Sequence, residues 1–148
     1  MTSTKPTVLI VEDDSLVRSF LAQALEMGGY PSEGVGSGTE GLAALQGSNR
    51  FAVLLIDGLL PDMHGADLAH RILDTPGIAQ LPLCFISGAL RQAPPNTAGV
   101  AALAKPVKAR TLLDTVRELC SWAEGPRSSP SERRAVLDAL TGAFLVGP

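Results

Sequence analysis

Three short stretches of the chain are apolar without a break, and each is followed by a polar residue: Val8-Leu9-Ile10-Val11, Val53-Leu54-Leu55-Ile56 and Leu83-Cys84-Phe85-Ile86. A strand with one face in water alternates apolar and polar residues. An unbroken run fits a strand buried on both faces, as in a parallel sheet held between helices. Two weaker strands are expected at 31–35 and 100–103, each preceded by Gly or Pro punctuation. Apolar residues recur at helical spacing over 15–27, 39–45, 66–73 and 108–122, with Asp14 or Ser15 as N-cap of the first helix and Gly28-Gly29 as its stop. Strand and helix alternate, so the expected fold class is α/β: a doubly wound, five-stranded parallel sheet with right-handed crossovers. At 148 residues the chain has room for one core. Hydrophobic residues make up 45% of it and aromatics only 4%, so that core has to be packed from Val, Leu, Ile and Ala.

Beyond Trp122 the composition changes. Residues 124–130 read as a linker, and Ser131 is expected to cap a further helix with Val136, Leu137, Leu140, Phe144 and Leu145 on one face. A segment of about 18 residues cannot enclose a core of its own. The expected division is therefore a domain at 5–124 followed by a linker and C-terminal amphipathic helix at 125–148.

Several function classes are disfavoured by the same reading. A net charge of −3 without a Lys/Arg cluster leaves no electrostatic footprint for nucleic acid or an anionic membrane. No stretch approaches the ~20 apolar residues of a membrane span, and the start of the chain lacks the features of a secretory signal. Cys84 and Cys120 stand apart, with no Cys/His metal spacing, and read as packed thiols. The expectation is a soluble cytoplasmic protein whose partners are other proteins.

In open parallel sheets ligands bind beyond the carboxyl ends of the strands. The residues that fall there are Glu12 and Asp13 after the first strand, Asp57 at the end of the third, Ser87 at the end of the fourth and Lys105 after the fifth. Two carboxylates ~4 Å apart repel by ~4 kcal/mol at an effective dielectric near 20, so such a cluster calls for a cation or for raised pKa values. Oxygen donors with retained waters suit Mg²⁺, which commonly completes its shell with a phosphate oxygen. Lys105 offers a charge to a second phosphoryl oxygen, and Ser87 a hydroxyl to a third.

The run Val8-Leu9-Ile10-Val11-Glu12-Asp13-Asp14-Ser15-Leu16-Val17-Arg18 resembles the opening of response regulator receiver domains of two-component signalling. Asp57-Gly58-Leu59-Leu60-Pro61-Asp62-Met63-His64-Gly65 is similar to that family's phosphoacceptor segment, Ser87-Gly88-Ala89 to its switch hydroxyl, and Lys105-Pro106 to its Lys-Pro with a cis peptide. Four such motifs in order, covering about residues 5 to 124, carry the resemblance. It implies a flavodoxin-like strand order 2-1-3-4-5. It also implies Asp57 as the nucleophile toward phosphohistidine on a histidine kinase or phosphotransfer protein, and Mg²⁺ held by Asp13, by Glu12 through water, by Asp57 and by the backbone carbonyl of Leu59. Ser87 would move toward the new phosphate and Lys105 pair with it, the added charge shifting the populations of two loop arrangements. A downstream protein target would read the change.

The chain departs from the family in two places. Receivers usually carry an aromatic three residues before the Lys, where this chain has Ala102. The interval from Ser87 to Lys105 is 18 positions, roughly one turn short, and holds Pro94-Pro95. The helix between the fourth and fifth strands is therefore expected to be shortened or absent, and the C-terminal helix to cover the surface left bare, in its own subunit or across a homodimer. Two other functions stand beside the phosphorylation switch. A phosphorylation-independent pseudo-receiver or scaffold would accommodate Ala102. A phosphohydrolase with an aspartyl nucleophile would need a general acid two residues after it, where Leu59 stands. Beyond its own phosphorylation and slow dephosphorylation, no enzymatic turnover is expected.

Overall fold

The computed structural model describes residues 6–46, 50–88 and 96–146, with side chains as far as Leu140. Its strands are β1 (Thr7–Val11), β2 (Ser32–Val35), β3 (Phe51–Asp57), β4 (Leu83–Ser87) and β5 (Val100–Ala104), and its helices α1 (Ser15–Met27), α2 (Gly38–Leu45), α3 (Gly65–Leu73), α4 (Ala109–Glu124) and α5 (Pro130–Val146). All strand pairs are parallel, in the order β2-β1-β3-β4-β5. The three unbroken apolar runs are the central strands, with Leu9, Leu54, Leu55, Leu83 and Phe85 all fully buried. β2 forms an edge with half-buried ends and exposed middle, which is why its sequence signal is faint.

The helices form two layers. α1 and α4 cover one face of the sheet, where Leu21, Leu25, Leu112, Val116 and Leu119 pack on Val8, Ile10, Val53 and Leu55. α2, α3 and α5 cover the other, where Leu68, Ile72, Leu137 and Leu140 pack on Leu9, Leu54, Phe85 and Ala102. Right-handed crossovers put the β3-to-β4 and β4-to-β5 connections on this second face. Among the described residues no helix lies between β4 and β5, and Pro94-Pro95, where the shortened helix was expected, falls in 89–95, outside the described residues. The cover over β4 and β5 on that face is α5, folded back on its own chain. Of the two arrangements left open by the sequence, the structure shows the intramolecular one, with Leu137 fully buried. Phe144 and Leu145, assigned to the same stripe, lie on α5 beyond the described side chains.

Helix starts follow the local chemistry. Asp14 is the N-cap of α1, its carboxylate accepting from the backbone N–H groups of Leu16 and Val17. α5 differs from expectation: it begins at Pro130, and the cap is Ser129 rather than Ser131. Ser129 Oγ accepts from Glu132 N at 3.1 Å while Glu132 Oε1 accepts from Ser129 N at 3.3 Å. Proline suits the first helical position, where its missing N–H is not needed, so the capping box starts one residue before it.

Arg133 anchors the helix. It is fully buried, and its guanidinium donates to the carbonyls of Ala98 (2.8 Å), Leu81 (2.7 Å) and Gly99 (3.3 Å), and to that of Ala79. These carbonyls belong to the segments entering β4 and β5, at the edge opposite the strand tips. Ala98 and Gly99 have φ of 55° and 71°, a left-handed pair that aims both carbonyls at Arg133. Trp122, at the end of α4, lies under the same guanidinium at 4.9 Å.

Candidate functional site

Register brings the strand tips level. Val11 pairs with Ile56, Asp57 with Ile86 and Ser87 with Ala104, so the residues that end or follow β1, β3, β4 and β5 meet along one edge. Glu12, Asp13, Asp57, Leu59, Ser87 and Lys105 all line a single cleft of about 800 Å³. The sequence-based site is thus brought together whole. Its floor also includes Asp14, Gly58, Leu60, Pro61, His64 and Gly88.

Carboxylate oxygens of Glu12, Asp13 and Asp57 lie within 4.8 Å of one another, with Glu12 and Asp57 buried and Asp13 exposed. Lys105 Nζ reaches in over them, 3.0 Å from Glu12 Oε1 and 3.4 Å from Asp57 Oδ1. Burial pushes the Glu12 carboxyl up to about 7, and its hydrogen bond with Asp57 pushes the same way against the pull of Lys105. For Lys105, burial favours the neutral amine, but the hydrogen bond to Glu12 and the charge of Asp57 outweigh it and raise its pKa. The cluster therefore sets one cation among three acids, and the raised pKa of Glu12 favours its protonated form and so eases their repulsion. An all-oxygen donor set at this spacing fits a hard divalent ion such as Mg²⁺ and offers nothing to a soft metal.

The backbone around Asp57 is tightly built. Leu59 N donates to Asp57 Oδ1 at 3.4 Å, and Gly65 N donates to Gly58 O at 2.9 Å, folding the loop back before α3 begins. A Cβ at Gly65 would stand 2.4 Å from the carbonyl oxygen of Asp57, so only glycine lets α3 start that close. Ser87 Oγ lies across the cleft, 3.4 Å from where a Cβ on Gly58 would be. The peptide between Lys105 and Pro106 is cis, as expected.

Two residues that reasoning from sequence left without a role hold this edge in place. Arg18 Nη1 donates to the backbone carbonyl of Glu12 at 2.6 Å, tying α1 to the acidic turn. Asp62 accepts from Gly38 N and Thr39 N, each at 2.9 Å, and from Thr39 Oγ1 at 2.6 Å, and so caps α2 from within the Asp57 loop. These bonds pull its carboxyl down to about 2. Arg18 acts on a backbone atom and Asp62 on two backbone N–H groups and the Thr39 hydroxyl, all brought near only by folding, and neither residue leaves a spacing in the sequence. His64 is exposed, whereas His70 is half-buried with its Nε2 3.3 Å from Asp138 Oδ1.

Residues 8–117 match the family model described as the response regulator receiver domain. The chain is 32% identical over 116 residues to the response regulator receiver protein CpdR of Brucella abortus, a match covering 76% of this chain and 94% of CpdR. It is 30% identical over 118 residues to the sensor kinase CckA of the same organism, over 76% of this chain but only 12% of the kinase. Among solved structures, a CheY-like response regulator receiver domain protein from Methanospirillum hungatei superposes with a TM-score of 0.68 at 26% identity, covering 82% of this chain and 98% of that one.

Proposed function

This chain belongs to the response regulator receiver domain family, and from that membership we propose that it is a phosphorylation switch whose phosphoacceptor is Asp57. The observation that carries the reading is the convergence of Glu12, Asp13 and Asp57 within 4.8 Å under the Lys105 ammonium. In the reaction, a carboxylate oxygen of Asp57 attacks the phosphorus of a phosphohistidine. A P–O bond forms as the P–N bond breaks, and the imidazole leaves with the bonding pair and takes a proton. Asp13, Asp57 and the backbone carbonyl of Leu59 would hold Mg²⁺ directly and Glu12 through water, and the bound ion would neutralise charge on the phosphoryl oxygens. Lys105, released from Glu12 and Asp57, pairs with one phosphoryl oxygen, and the Ser87 hydroxyl donates to another. The phosphoryl group adds about −1.5 to −2 charges at an edge already short of cations, which biases the loops toward a second arrangement.

The donor is a histidine kinase or a phosphotransfer protein. An apolar groove lined by Leu16, Phe20, Pro106 and Val107 adjoins the site through Lys105, and Leu16 is 81% exposed there, which gives such a partner a surface to bind. On this reading the chain acts as a single-domain, cytoplasmic receiver that signals through protein contacts; its similarity to the receiver protein CpdR spans 94% of that protein. Among the described residues no helix is long and apolar enough to cross a membrane.

The competing scaffold reading draws on Ala102, which is 1% exposed and supplies no ring to swing with Ser87. Phosphotransfer from candidate histidine kinases to the wild type and to Asp57→Asn separates the two. The switch reading expects label on the wild type only, dependent on Mg²⁺. A wild type that stays unlabelled with every kinase and with acetyl phosphate favours the scaffold.

A further inference from the structure

α5 stands on two elements that lead directly to the site. It packs against α3, which begins at Gly65 immediately after the Asp57 loop, and against β5, which ends one residue before Lys105. Its direction can be read from its ion pairs: Arg134 meets Asp74 at the end of α3, and Asp138 meets His70 one turn earlier. As the number along α5 rises by four, the number along α3 falls by four. The helices are antiparallel, and the last turns of α5 run toward the level of Gly65, the site edge. The opposite end is fixed by Arg133 in its ring of four carbonyls, at the edge away from the site.

The helix also has a polarity that matters. The C-terminal end of a helix carries about half a negative charge. α5 has no basic residue in its last turn to offset it, and it points toward the edge that would gain a phosphoryl group. Under α5 the sheet offers Ala102, buried in the same cluster as Leu137 and Leu140, so the helix rests on β5 with no large side chain interposed at that position.

We propose that α5 is an intramolecular cover hinged at Arg133, and that loading the site loosens its hold on the α3–β5 face, uncovering the stripe of Val136, Leu137 and Leu140 and the surface beneath it. This rests on the phosphoacceptor reading and adds its output: site occupancy and α5 docking oppose one another. Linkage makes the opposition reciprocal, so weakening the docking must tighten the site.

Hydrogen exchange on the full chain, with and without beryllofluoride and Mg²⁺, tests it. The amides of the Asp57 and Ser87 loops report whether the site is loaded, and those of 134–146 report docking. The expected result is protection of the loops together with exchange at least about fivefold faster across 134–146, the lower end of ordinary allosteric couplings. Neither change should occur in Asp57→Asn. Protected loops with unaltered 134–146 amides overturn the cover and leave the phosphoacceptor reading standing. No change anywhere overturns both. As the reciprocal test, Leu137→Ala should bind beryllofluoride more tightly by the factor by which docking is weakened, and Arg134→Ser, which removes only an exposed ion pair, should move affinity less and in the same direction. Affinity unchanged or lowered in the variants that fold contradicts the proposal.

Discussion

Glu12 is caught between burial and neighbouring charge. With its pKa raised to about 7 it carries a proton below that pH, while a divalent ion requires the carboxylate. Affinity for Mg²⁺ should therefore climb as pH rises through about 7, and binding at lower pH should release protons. Calorimetry in two buffers of different ionisation enthalpy measures both; constant affinity with no proton release on either side of neutrality contradicts the assignment. The sign for folding is the reverse of a salt-bridged acid. Ionising Glu12 in the metal-free protein lowers stability as pH rises from its ordinary 4.5 through about 7. Asp62 behaves in the usual way. Its pKa is depressed from 3.8 to about 2, so its contribution is present above the higher value and is lost as pH falls through the lower. Asp62→Asn should flatten the acid limb of a stability-against-pH curve, and a limb identical to that of the wild type contradicts the capping role. The site acids were legible in the sequence because each ends an apolar strand. Arg18, Asp62 and Arg133 were not, since their partners are backbone groups 6, 24 and up to 54 positions away.

At the scale of elements, buried strands announce themselves as unbroken apolar runs, whereas β2 and the start of α5 do not. The start of α5 shifted because Pro130 is tolerated at the first helical position, making Ser129 the cap. The one faint signal for Arg133 is its place on the apolar stripe, four residues before Leu137 and seven before Leu140. A charge at such a position reads as solvated surface until the carbonyls that receive it are known. Two substitutions weigh the anchors. Leu137→Ala should cost about 2–5 kcal/mol, the range for emptying a packed site. Arg133→Met keeps most of the volume but removes the donor to four backbone carbonyls, of which Gly99 O keeps its bond from Leu83 N, with a loss on the order of 3 kcal/mol. Urea unfolding reads both, and a loss below about 0.5 kcal/mol in either would mean that α5 contributes little to the fold.

For the whole molecule, a sheet wound on both sides must be covered on both sides, and this chain completes its second layer with its last helix. Removing residues 125–148 should uncover apolar surface over β5 and α3, producing aggregation or a new oligomeric state by light scattering after gel filtration. A truncated chain that stays monomeric and as stable as the intact one contradicts the covering role. The sequence pointed to this need through the short interval between Ser87 and Lys105; it left the choice between cover in cis and in trans open, because an amphipathic stripe does not say which surface it meets. All of this depends on the strand tips forming one phosphoryl-accepting centre at Asp57. Intact-mass spectrometry after incubation with acetyl phosphate tests it most directly. The wild type should gain one phosphoryl group per chain, dependent on Mg²⁺ and absent in Asp57→Asn; a wild type that gains no mass, or an Asp57→Asn variant that gains as much, would rule out Asp57 as the acceptor.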